Sequence, residues 1–383
     1  MNKKQLQGDF IISFAVMIQS LLIVLQTIMI DFFYMDADAT TIYRVLLTAI
    51  PMIIAMIITI KRNPSRFFIG MIIAFVLLIL TIAFFPDNSL YVTSQGFRFL
   101  LPVIIPSFLC LSVVYDYSIV EKTLYVISWF SLALISLYVY GYFTGIVHIR
   151  GYNMAFSFAC VLPFVSFYSH RKIYDYIICV FLFVIVIGIG ARGGAFAMAI
   201  YVIFDVFQHK SKWRYAILIL IMLFIALLPL LEGWFDSIGI SSRTLNKMLD
   251  DDITSDSGRF GIWGFFWNRL LDQPIIGLGL YGDRGTYGTV PYCHNLFLEI
   301  LIDFGFIVGG AGILIGLFEL IKLYIHSSNI NRNNIIKYFS ALIVPLMTSG
   351  SYLISSDFAI FVGLCFLINK NNNMGKSMIK TTM

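Results

Sequence analysis

A histidine followed by regularly spaced polar residues stands at the start of a long apolar run. Asn295, Glu299 and Asp303 recur every four residues and so share one face of a predicted helix, with His294 at the outer end of the same helix. A neutral imidazole can accept a proton from a hydroxyl, because its ordinary pKa is about 6.5. His294 is therefore a candidate general base, with Asn295 and Glu299 as candidate substrate contacts. The alternative is a solvated histidine at a helix end.

Arginines are the second residue type that could do chemistry here. Arg192 lies among glycines in Gly188-Ile189-Gly190-Ala191-Arg192-Gly193-Gly194, and Arg259 follows Ser257 and Gly258. A planar guanidinium can hold a phosphate through two hydrogen bonds. The alternatives are purely structural roles: a simple helix turn around Arg192 and a helix cap at Ser257.

Composition indicates that these residues belong to a polytopic membrane protein. Of the 383 residues 59% are hydrophobic and only 12% are charged, whereas about a quarter are charged in soluble domains. Since a helix needs roughly 20 apolar residues to cross a bilayer, the sequence predicts an all-α fold with about twelve transmembrane helices. The predicted spans are 10–30, 42–60, 67–85, 99–115, 123–143, 153–168, 174–190, 193–207, 214–231, 292–321, 336–354 and 357–369.

The distribution of basic residues predicts the orientation. With the N terminus inside, 17 of the 26 Lys and Arg fall in inside loops, as the positive-inside rule requires. The nine on the outside are Arg44, Arg98, Arg150, Arg192, Arg243, Lys247, Arg259, Arg269 and Arg284. The inside loops are all short, so the sequence excludes a primary pump or an enzyme with a cytoplasmic nucleotide-sugar domain.

The chain divides into three predicted parts: the N-terminal helices (1–231), one large outer loop (232–291) and the C-terminal helices (292–383). Within the loop, Arg259 to Leu271 has Trp263, Phe266 and Leu270 at helical spacing, which predicts an interfacial helix. The glycines from Gly277 to Gly282 match a dinucleotide-binding fingerprint, but no strand precedes them. We interpret these glycines as a turn that brings backbone close to substrate.

Together these segments resemble the O-antigen ligase and polymerase superfamily of membrane glycosyltransferases. The matching pieces are Arg192-Gly193-Gly194, Ser257-Gly258-Arg259 with Trp263, Pro274 to Gly279, and His294-Asn295 followed by Glu299 and Gly305. The resemblance covers roughly residues 180 to 310. Ala191, where such proteins often have a small polar residue, is a minor departure.

The resemblance implies a GT-C-like enzyme of a bacterial inner membrane whose active site faces the periplasm. Its expected reaction is a metal-independent, inverting transfer of a polyprenyl-diphosphate-linked oligosaccharide onto a sugar hydroxyl, with no cofactor and no metal. His294 would deprotonate the hydroxyl, and Arg192 and Arg259 would hold the diphosphate. The further expected contacts are Arg98, Arg150 and Arg284. Expected partners are the lipid-linked oligosaccharide, membrane lipids, a chain-length regulator and a flippase, and no nucleic acid.

Several alternatives stay open at this stage. A ligase, which transfers the glycan to lipid A core, differs from a polymerase only in the acceptor. A metal-dependent glycosyltransferase would use Asp36 and Asp38, which form a D-x-D in the first outer loop, or the acidic run Asp250-Asp251-Asp252. A flippase or transporter would use Glu299 and Asp303 as ion-coupling carboxylates. The sequence lacks the internal repeat of broken helices that is common in transporters.

Overall fold

The computed structural model describes residues 3–147, 154–189, 191–208, 259–285 and 292–381, and these residues form helices and loops without a strand. The N-terminal half contains α1 (Lys3–Phe33), α2 (Ala37–Arg62), α3 (Pro64–Phe84), α4 (Ile105–Ser112), α5 (Tyr117–Phe143), α6 (Met154–His170), α7 (Ile173–Ile189) and α8 (Arg192–Gln208). The remainder contains α9 (Arg259–Asp272), α10 (Leu296–Phe304), α11 (Gly310–His326), α12 (Asn329–Tyr338), α13 (Val344–Thr348) and α14 (Asp357–Thr381). The all-helical prediction is confirmed for this part of the chain.

Among the described residues, six helices are long and apolar enough to cross a membrane. They are Lys3–Phe33, Ala39–Arg62, Pro64–Phe84, Pro86–Ser112, Tyr117–Phe143 and Leu296–His326. The apolar helices Met154–His170 and Ile173–Gly188 are shorter, and the predicted span 214–231 lies outside the described residues. The number of about twelve spans therefore stays a prediction.

In the part of the chain that the structure describes, three π-helical segments interrupt the apolar helices, at Val92–Ile104, Gly305–Gly309 and Phe339–Ile343. The second one separates α10 from α11, and its first residue, Gly305, has φ 69°. A π-helical turn changes the direction of the side chains that follow it. The predicted span 292–321 is thus a broken helix that begins at Leu296 and continues to His326.

Within the predicted span 336–354 the chain is helical only as far as Thr348, and its crossing of the membrane stays a prediction. The helix ends there, and residues 349–356 form turns without helix. Ser349, Gly350 and Ser351 explain the break, because glycine lowers helix stability and serine hydroxyls compete for backbone groups. The Ser351 hydroxyl, for example, accepts a hydrogen bond from the backbone N–H of Leu353 at 3.2 Å.

Polar contacts gather at two opposite ends of the helical bundle. At one end Arg62 pairs with the buried Asp9 and donates to the carbonyl of Val113 at 3.2 Å, and Lys370 donates to the next carbonyl, that of Val114, at 3.1 Å. These contacts bring together loops that the sequence predicts to be inside. At the other end the Asn88 amide donates to the carbonyls of Leu278 and Leu280 at 2.8 and 3.1 Å. The predicted outer segments therefore also lie together.

A hydrophobic contact fixes the interfacial-helix candidate α9 on α10. Ile262, Phe266 and Leu270 are buried on one face of α9 and form a cluster with Leu298 and Ile302. Their spacing is that of an amphipathic helix, which confirms the predicted helix. Its place at a membrane surface stays a prediction.

The glycine-rich turn that follows α9 packs against the break between α10 and α11. The backbone N–H of Leu278 donates to the carbonyl of Ile302 at 2.6 Å, and that of Phe306 donates to the carbonyl of Pro274 at 2.7 Å. A Cβ atom on Gly277, whose φ is 71°, would lie 2.5 Å from the backbone nitrogen of Gly305. Gly277 therefore permits a close backbone approach to the end of α10, and the approach of this turn to substrate stays a prediction.

Candidate active site

His294 lies immediately before α10 and not on it, which corrects the helical position expected from the sequence. Asn295 is the N-cap of α10, and its side-chain oxygen accepts from the N–H groups of Phe297 and Leu298 at 3.1 Å each. An N-cap residue has extended backbone and lies outside the regular helix. His294 before it has φ 57°, in the left-handed region that few non-glycine residues adopt.

The carbonyl of Ser349 sets the tautomer of His294. Nδ1 of His294 lies 2.9 Å from this oxygen. Since a carbonyl oxygen can only accept, Nδ1 carries the proton in the neutral ring and Nε2 keeps the lone pair. The Tyr292 hydroxyl donates to the same carbonyl at 3.0 Å, and the Tyr292 ring lies 4.3 Å from the imidazole, centre to centre. These contacts hold the imidazole in place, and its basic nitrogen Nε2 takes no part in the hydrogen bond to Ser349.

Burial keeps the histidine in its basic form. It lowers the pKa of His294 below the ordinary value of 6.5, and the Arg259 guanidinium acts in the same direction, while the hydrogen bond to Ser349 opposes both. Burial also raises the pKa of Tyr292 to about 12, so its hydroxyl stays a donor at neutral pH. A neutral imidazole beside fixed donors is suited to accept a proton.

Arg259 reaches the same serine from α9. Its Nη2 donates to the Ser349 hydroxyl at 2.6 Å. Trp263, one turn later in α9, donates from Nε1 to the carbonyl of Cys293 at 3.0 Å. These two bonds connect α9 to both sides of His294, and they place a positive charge next to the imidazole.

Arg192 begins α8 close to the same segment. A Cβ atom added to Gly193 would lie 3.1 Å from the Thr348 hydroxyl, and one on Gly194 would lie 2.8 Å from the carbonyl of Ser157. The two glycines therefore allow the start of α8 to approach α6 and the end of α13. Arg192 is half-exposed at a helix N terminus, where unpaired N–H groups favour an anion. The structure thus brings Arg259 and His294 to Ser349, and it brings the start of α8, where Arg192 lies, close to Thr348.

The sequence analysis also singled out Arg284, and this residue lies at the centre of a buried polar cluster. It pairs with Asp283, donates from Nη2 to Glu299 at 2.9 Å and to the Ser351 hydroxyl at 2.7 Å, and donates from Nε to Gln95 at 3.4 Å. Arg284 is 4% exposed and Glu299 is fully buried, so both charges are satisfied within the protein. Their role as substrate contacts stays a prediction.

The buried polar cluster also supports the backbone on both sides of the histidine. Asp283 accepts from the N–H of Cys293 at 2.9 Å, and Glu299 accepts from the Ser351 hydroxyl at 2.5 Å. The first bond holds the residue before His294, and the second holds the segment that contains Ser349. Buried charged networks of this kind are rigid when every member is satisfied.

Arg98 and Arg150 are the two remaining predicted substrate contacts, and the structure describes only Arg98. Arg98 lies on the π-helical segment Val92–Ile104, three residues after Gln95, with its guanidinium 5.4 Å from the ring centre of Phe99. Gln95 contacts Arg284, so Arg98 belongs to the same end of the molecule as the buried polar cluster. Arg150 lies outside the described residues.

Cys293 does not form a nucleophile with its neighbour. Its thiol is buried and 3.4 Å from the carbonyl of Asn295. Burial raises the pKa of this thiol, and the Asp283 carboxylate adds to the effect. A thiolate is the nucleophilic form, so Cys293 stays inert at neutral pH.

One aspartate of the D-x-D in the first outer loop, Asp36, has a local structural role. The Asp36 carboxylate accepts from the N–H of Ala39 at 3.0 Å and caps the start of α2. The structure does not describe the side chain of Asp38, and the acidic run 250–252 lies outside the described residues. Across the residues that the structure describes, no three His, Cys, Asp or Glu side chains are grouped to hold a metal ion.

Sequence reasoning missed Ser349 and Tyr292. Ser349 receives hydrogen bonds from Arg259, Tyr292 and His294. The only local signal is the polar run Thr348-Ser349-Gly350-Ser351 inside an apolar segment. Such a run indicates a break at membrane depth, where irregular backbone is tolerated next to protein or a cavity.

The apolar helices and the polar site at one end define a multi-pass membrane protein. Residues 177–313 match the family model described as O-antigen ligase, and this match supports the resemblance of that segment to the O-antigen ligase and polymerase superfamily. The family indicates a glycosyltransferase-like enzyme that acts on polysaccharide. Arg192, Arg259 and His294 all lie inside the matched segment. A search of the curated proteins and a search of the solved structures found no match.

Proposed function

We propose that this protein polymerises polyprenyl-diphosphate-linked oligosaccharide repeat units into a surface polysaccharide on the outer face of the bacterial inner membrane. The observation that carries the proposal is the hydrogen bond between Nδ1 of His294 and the carbonyl of Ser349, beside Arg259. This hydrogen bond leaves Nε2 of His294 as the basic nitrogen. The Arg259 guanidinium binds the hydroxyl of the same Ser349, so a positive charge lies beside the base.

In the proposed reaction Nε2 of His294 takes the proton of an acceptor sugar hydroxyl. The acceptor oxygen then bonds to the anomeric carbon of the donor glycan, while the bond from that carbon to the diphosphate breaks. The diphosphate leaves with the electron pair, and its growing negative charge is stabilised by Arg192 and Arg259. Fixed positive groups that face developing charge are the largest source of rate enhancement in many enzymes.

The test is the length of glycan chains made by His294→Ala. Loss of a general base costs about 10² to 10⁴ in rate, so we expect collapse to single repeats at normal protein level. The matched control is His170→Ala, since His170 is exposed, and its contacts with the carbonyl of Ser166 and the ring of Tyr125 lie at the predicted inside end of the bundle, away from His294. Long chains at the normal rate from His294→Ala would show that the histidine is structural.

The ligase is the second candidate, because the matching family model is described as O-antigen ligase and does not distinguish a ligase from a polymerase. The phenotype of a deletion separates the two activities. Surface chains of a single repeat indicate a polymerase, whereas lipid-linked polymer that is never attached to lipid A core indicates a ligase.

Metal independence is part of the proposal, because two arginines can supply the positive charge that Mg²⁺ would otherwise provide. We expect the purified protein to stay active in EDTA. Asp36→Asn with Asp38→Asn should also keep most of the activity, since Asn preserves the cap of α2. Loss of activity on chelation, restored by Mg²⁺ or Mn²⁺, would favour the D-x-D alternative.

The transporter alternative depends on Glu299 and Asp303. In the described structure Glu299 is paired with Arg284, and Asp303 is bonded by the Tyr352 hydroxyl. Both carboxylates are buried. These contacts favour a structural use of Glu299 over ion coupling, whereas Asp303 also has a buried carboxylate oxygen without a hydrogen-bond partner among the described residues.

A further inference from the structure

Two arginines from neighbouring elements lie near each other at the predicted outer end of the bundle. Arg44 is in the second turn of α2 and Arg98 is on the π-helical segment Val92–Ile104, and these two elements pack against each other. The positive charge of Arg98 acts on the Arg44 guanidinium. Arg62, at the inside end of α2, is about 27 Å from Arg44 at the rise of an α-helix. We call Arg44 and Arg98 the arginine pair.

The arginine pair has no acidic partner among the described residues. Arg62 and Arg284 are each paired with a carboxylate, whereas none of the ion pairs in the described part of the chain involves Arg44 or Arg98. Two like charges repel each other, and an anion placed between them is attracted by both. The pair therefore has the charge arrangement of an anion site.

The surroundings of the arginine pair are accessible and apolar. Arg98 is exposed and Arg44 is half-buried. Leu47, one turn after Arg44, and Phe97, next to Arg98, both expose apolar side chains. A molecule anchored in the membrane can reach such a place. The anion that fits it is a phosphate on a lipid, because a guanidinium binds phosphate through two hydrogen bonds.

The arginine pair lies at the same end of the molecule as the candidate active site. Gln95, on the same π-helical segment as Arg98, accepts from Arg284 at 3.4 Å, and Arg284 donates to the Ser351 hydroxyl at 2.7 Å. Ser351 belongs to the non-helical segment that also binds the His294 ring. The buried polar cluster thus connects the two places, and the arginine pair lies beyond it.

The two substrates of the proposed polymerisation need their diphosphates in different places. The donor loses its diphosphate in the reaction, so that group must lie beside His294. The acceptor reacts through a sugar hydroxyl and keeps its own diphosphate, which lies at the same membrane surface but is separated from His294 by the sugars between. A polymerase therefore needs a second diphosphate site away from the base. A ligase, whose acceptor is lipid A core, does not.

We propose that the arginine pair binds the intact diphosphate of the acceptor, the second lipid-linked repeat unit. The identity of this ligand rests on the proposed function. The preference for a phosphate on a lipid rests on the unpaired charges and on the apolar surroundings. No bond forms or breaks at this site, and its role is to hold the acceptor while a sugar hydroxyl reaches Nε2 of His294.

The kinetic experiment compares two acceptors that cannot act as donors. One carries its repeat unit on a lipid diphosphate with a methylene group in place of the glycosidic oxygen, and the other carries the same repeat unit on a neutral lipid glycoside. We expect Arg44→Gln and Arg98→Gln to raise KM for the charged acceptor roughly tenfold to a hundredfold, since charge-assisted hydrogen bonds are lost. KM for the neutral acceptor and KM for the donor should stay unchanged.

The matched control is Arg269→Gln, because Arg269 is a predicted outer arginine in the last turn of α9 and is not part of the arginine pair. Arg98→Gln alone keeps the test valid where Arg44→Gln lowers the protein level, since Arg98 is exposed. An unchanged KM for the charged acceptor in the variants would overturn the proposal. An equal rise in KM for the donor or for the neutral acceptor would overturn it as well.

A binding measurement separates this inference from the proposed function. A photoreactive prenyl diphosphate without glycan is crosslinked to the protein in nanodiscs, with phosphatidylglycerol as a competitor. We expect labelling of α2 and of Val92–Ile104 that is lost when Arg44→Gln and Arg98→Gln are combined and is kept in Arg259→Gln. This result supports the site even if wild-type protein transfers no glycan and the proposed function fails. Labelling that survives the double variant, or that phosphatidylglycerol removes as well as unlabelled prenyl diphosphate does, would overturn the site.

Discussion

At the scale of single residues, the protonation state of His294 decides what the site can do. The protonated ring cannot accept a proton, so activity should be lost as pH falls through the pKa of His294. Burial and Arg259 lower that pKa below 6.5, and Asp283 raises it. We expect the acid limb of kcat against pH to have its midpoint below 6.5. Arg259→Gln should move the midpoint of the residual activity upward, and Asp283→Asn should move it downward.

The direction of these two shifts is the critical result. A general loss of structure would lower activity without moving the midpoint. Opposite shifts in the two variants require a titrating group between them, and His294 is the residue on which both charges act. A midpoint that stays in place in both variants would contradict the assignment of the base.

The geometry of Arg259 gives a second prediction at this scale. Arg259→Lys keeps the charge but loses the planar fork that binds a phosphate through two hydrogen bonds. We expect kcat to fall roughly a hundredfold, as for loss of one donor to a developing charge. Arg269→Lys, in the last turn of the same helix α9, is the control and should stay near wild type. Full activity of Arg259→Lys would show that charge alone is sufficient.

At the scale of elements, the turn after α9 and the break after α10 depend on each other. Gly277→Ala would force a side chain into the left-handed region and to within 2.5 Å of the Gly305 nitrogen and the Ile302 carbonyl. We expect a loss of roughly 2 to 4 kcal/mol in the free energy of unfolding, measured by thermal or denaturant unfolding in detergent. Gly264→Ala is the control, because no described atom lies within 4 Å of its Cβ position in α9. That control should be neutral or slightly stabilising, since alanine favours helix.

Local sequence patterns predicted these elements better than they predicted the contacts between them. The apolar spacing of Ile262, Phe266 and Leu270 indicates the helix α9, and the glycines from Gly277 indicate the turn that follows. The hydrogen bonds to Ser349 come from His294 and Arg259, which lie 55 and 90 positions away in the chain. A local sequence pattern cannot predict contacts over such separations. The break at 349–356 shows only as a short polar run in an apolar segment.

The pairing of Arg284 with Glu299 illustrates the same limit for charged residues. An arginine and a glutamate at one end of a membrane protein suggest contacts with an anionic substrate or with each other, and sequence spacing does not separate the two. In the fold the side chains meet at 2.9 Å in a buried cluster. Because a buried charge without a partner is costly, this pairing is what allows Glu299 to lie inside the helix bundle.

At the scale of the whole molecule, each polar end of the bundle groups segments that the sequence predicts on the same side of the membrane. Contacts of Arg62 and Lys370 join the start of α1 to the loop after α4 and to α14. Contacts of Asn88 and Arg284 join predicted outer segments at the opposite end. His294 lies with the second group, so an outward-facing site requires the first group to face the cytoplasm.

We therefore expect both termini in the cytoplasm and the 232–291 loop outside. A reporter enzyme that is active only outside the cytoplasm is fused after Asn88, after Asp250 and after Ser327. It should be active at the first two positions and silent at the third, because 17 of the 26 basic residues fall on the predicted inside and basic loops resist transfer. A cytoplasmic reporter fused at the same positions should give the reverse pattern. Cytoplasmic activity after Asp250 would place His294 on the wrong side for an outer-face reaction, and it would remove the proposed function together with the topology.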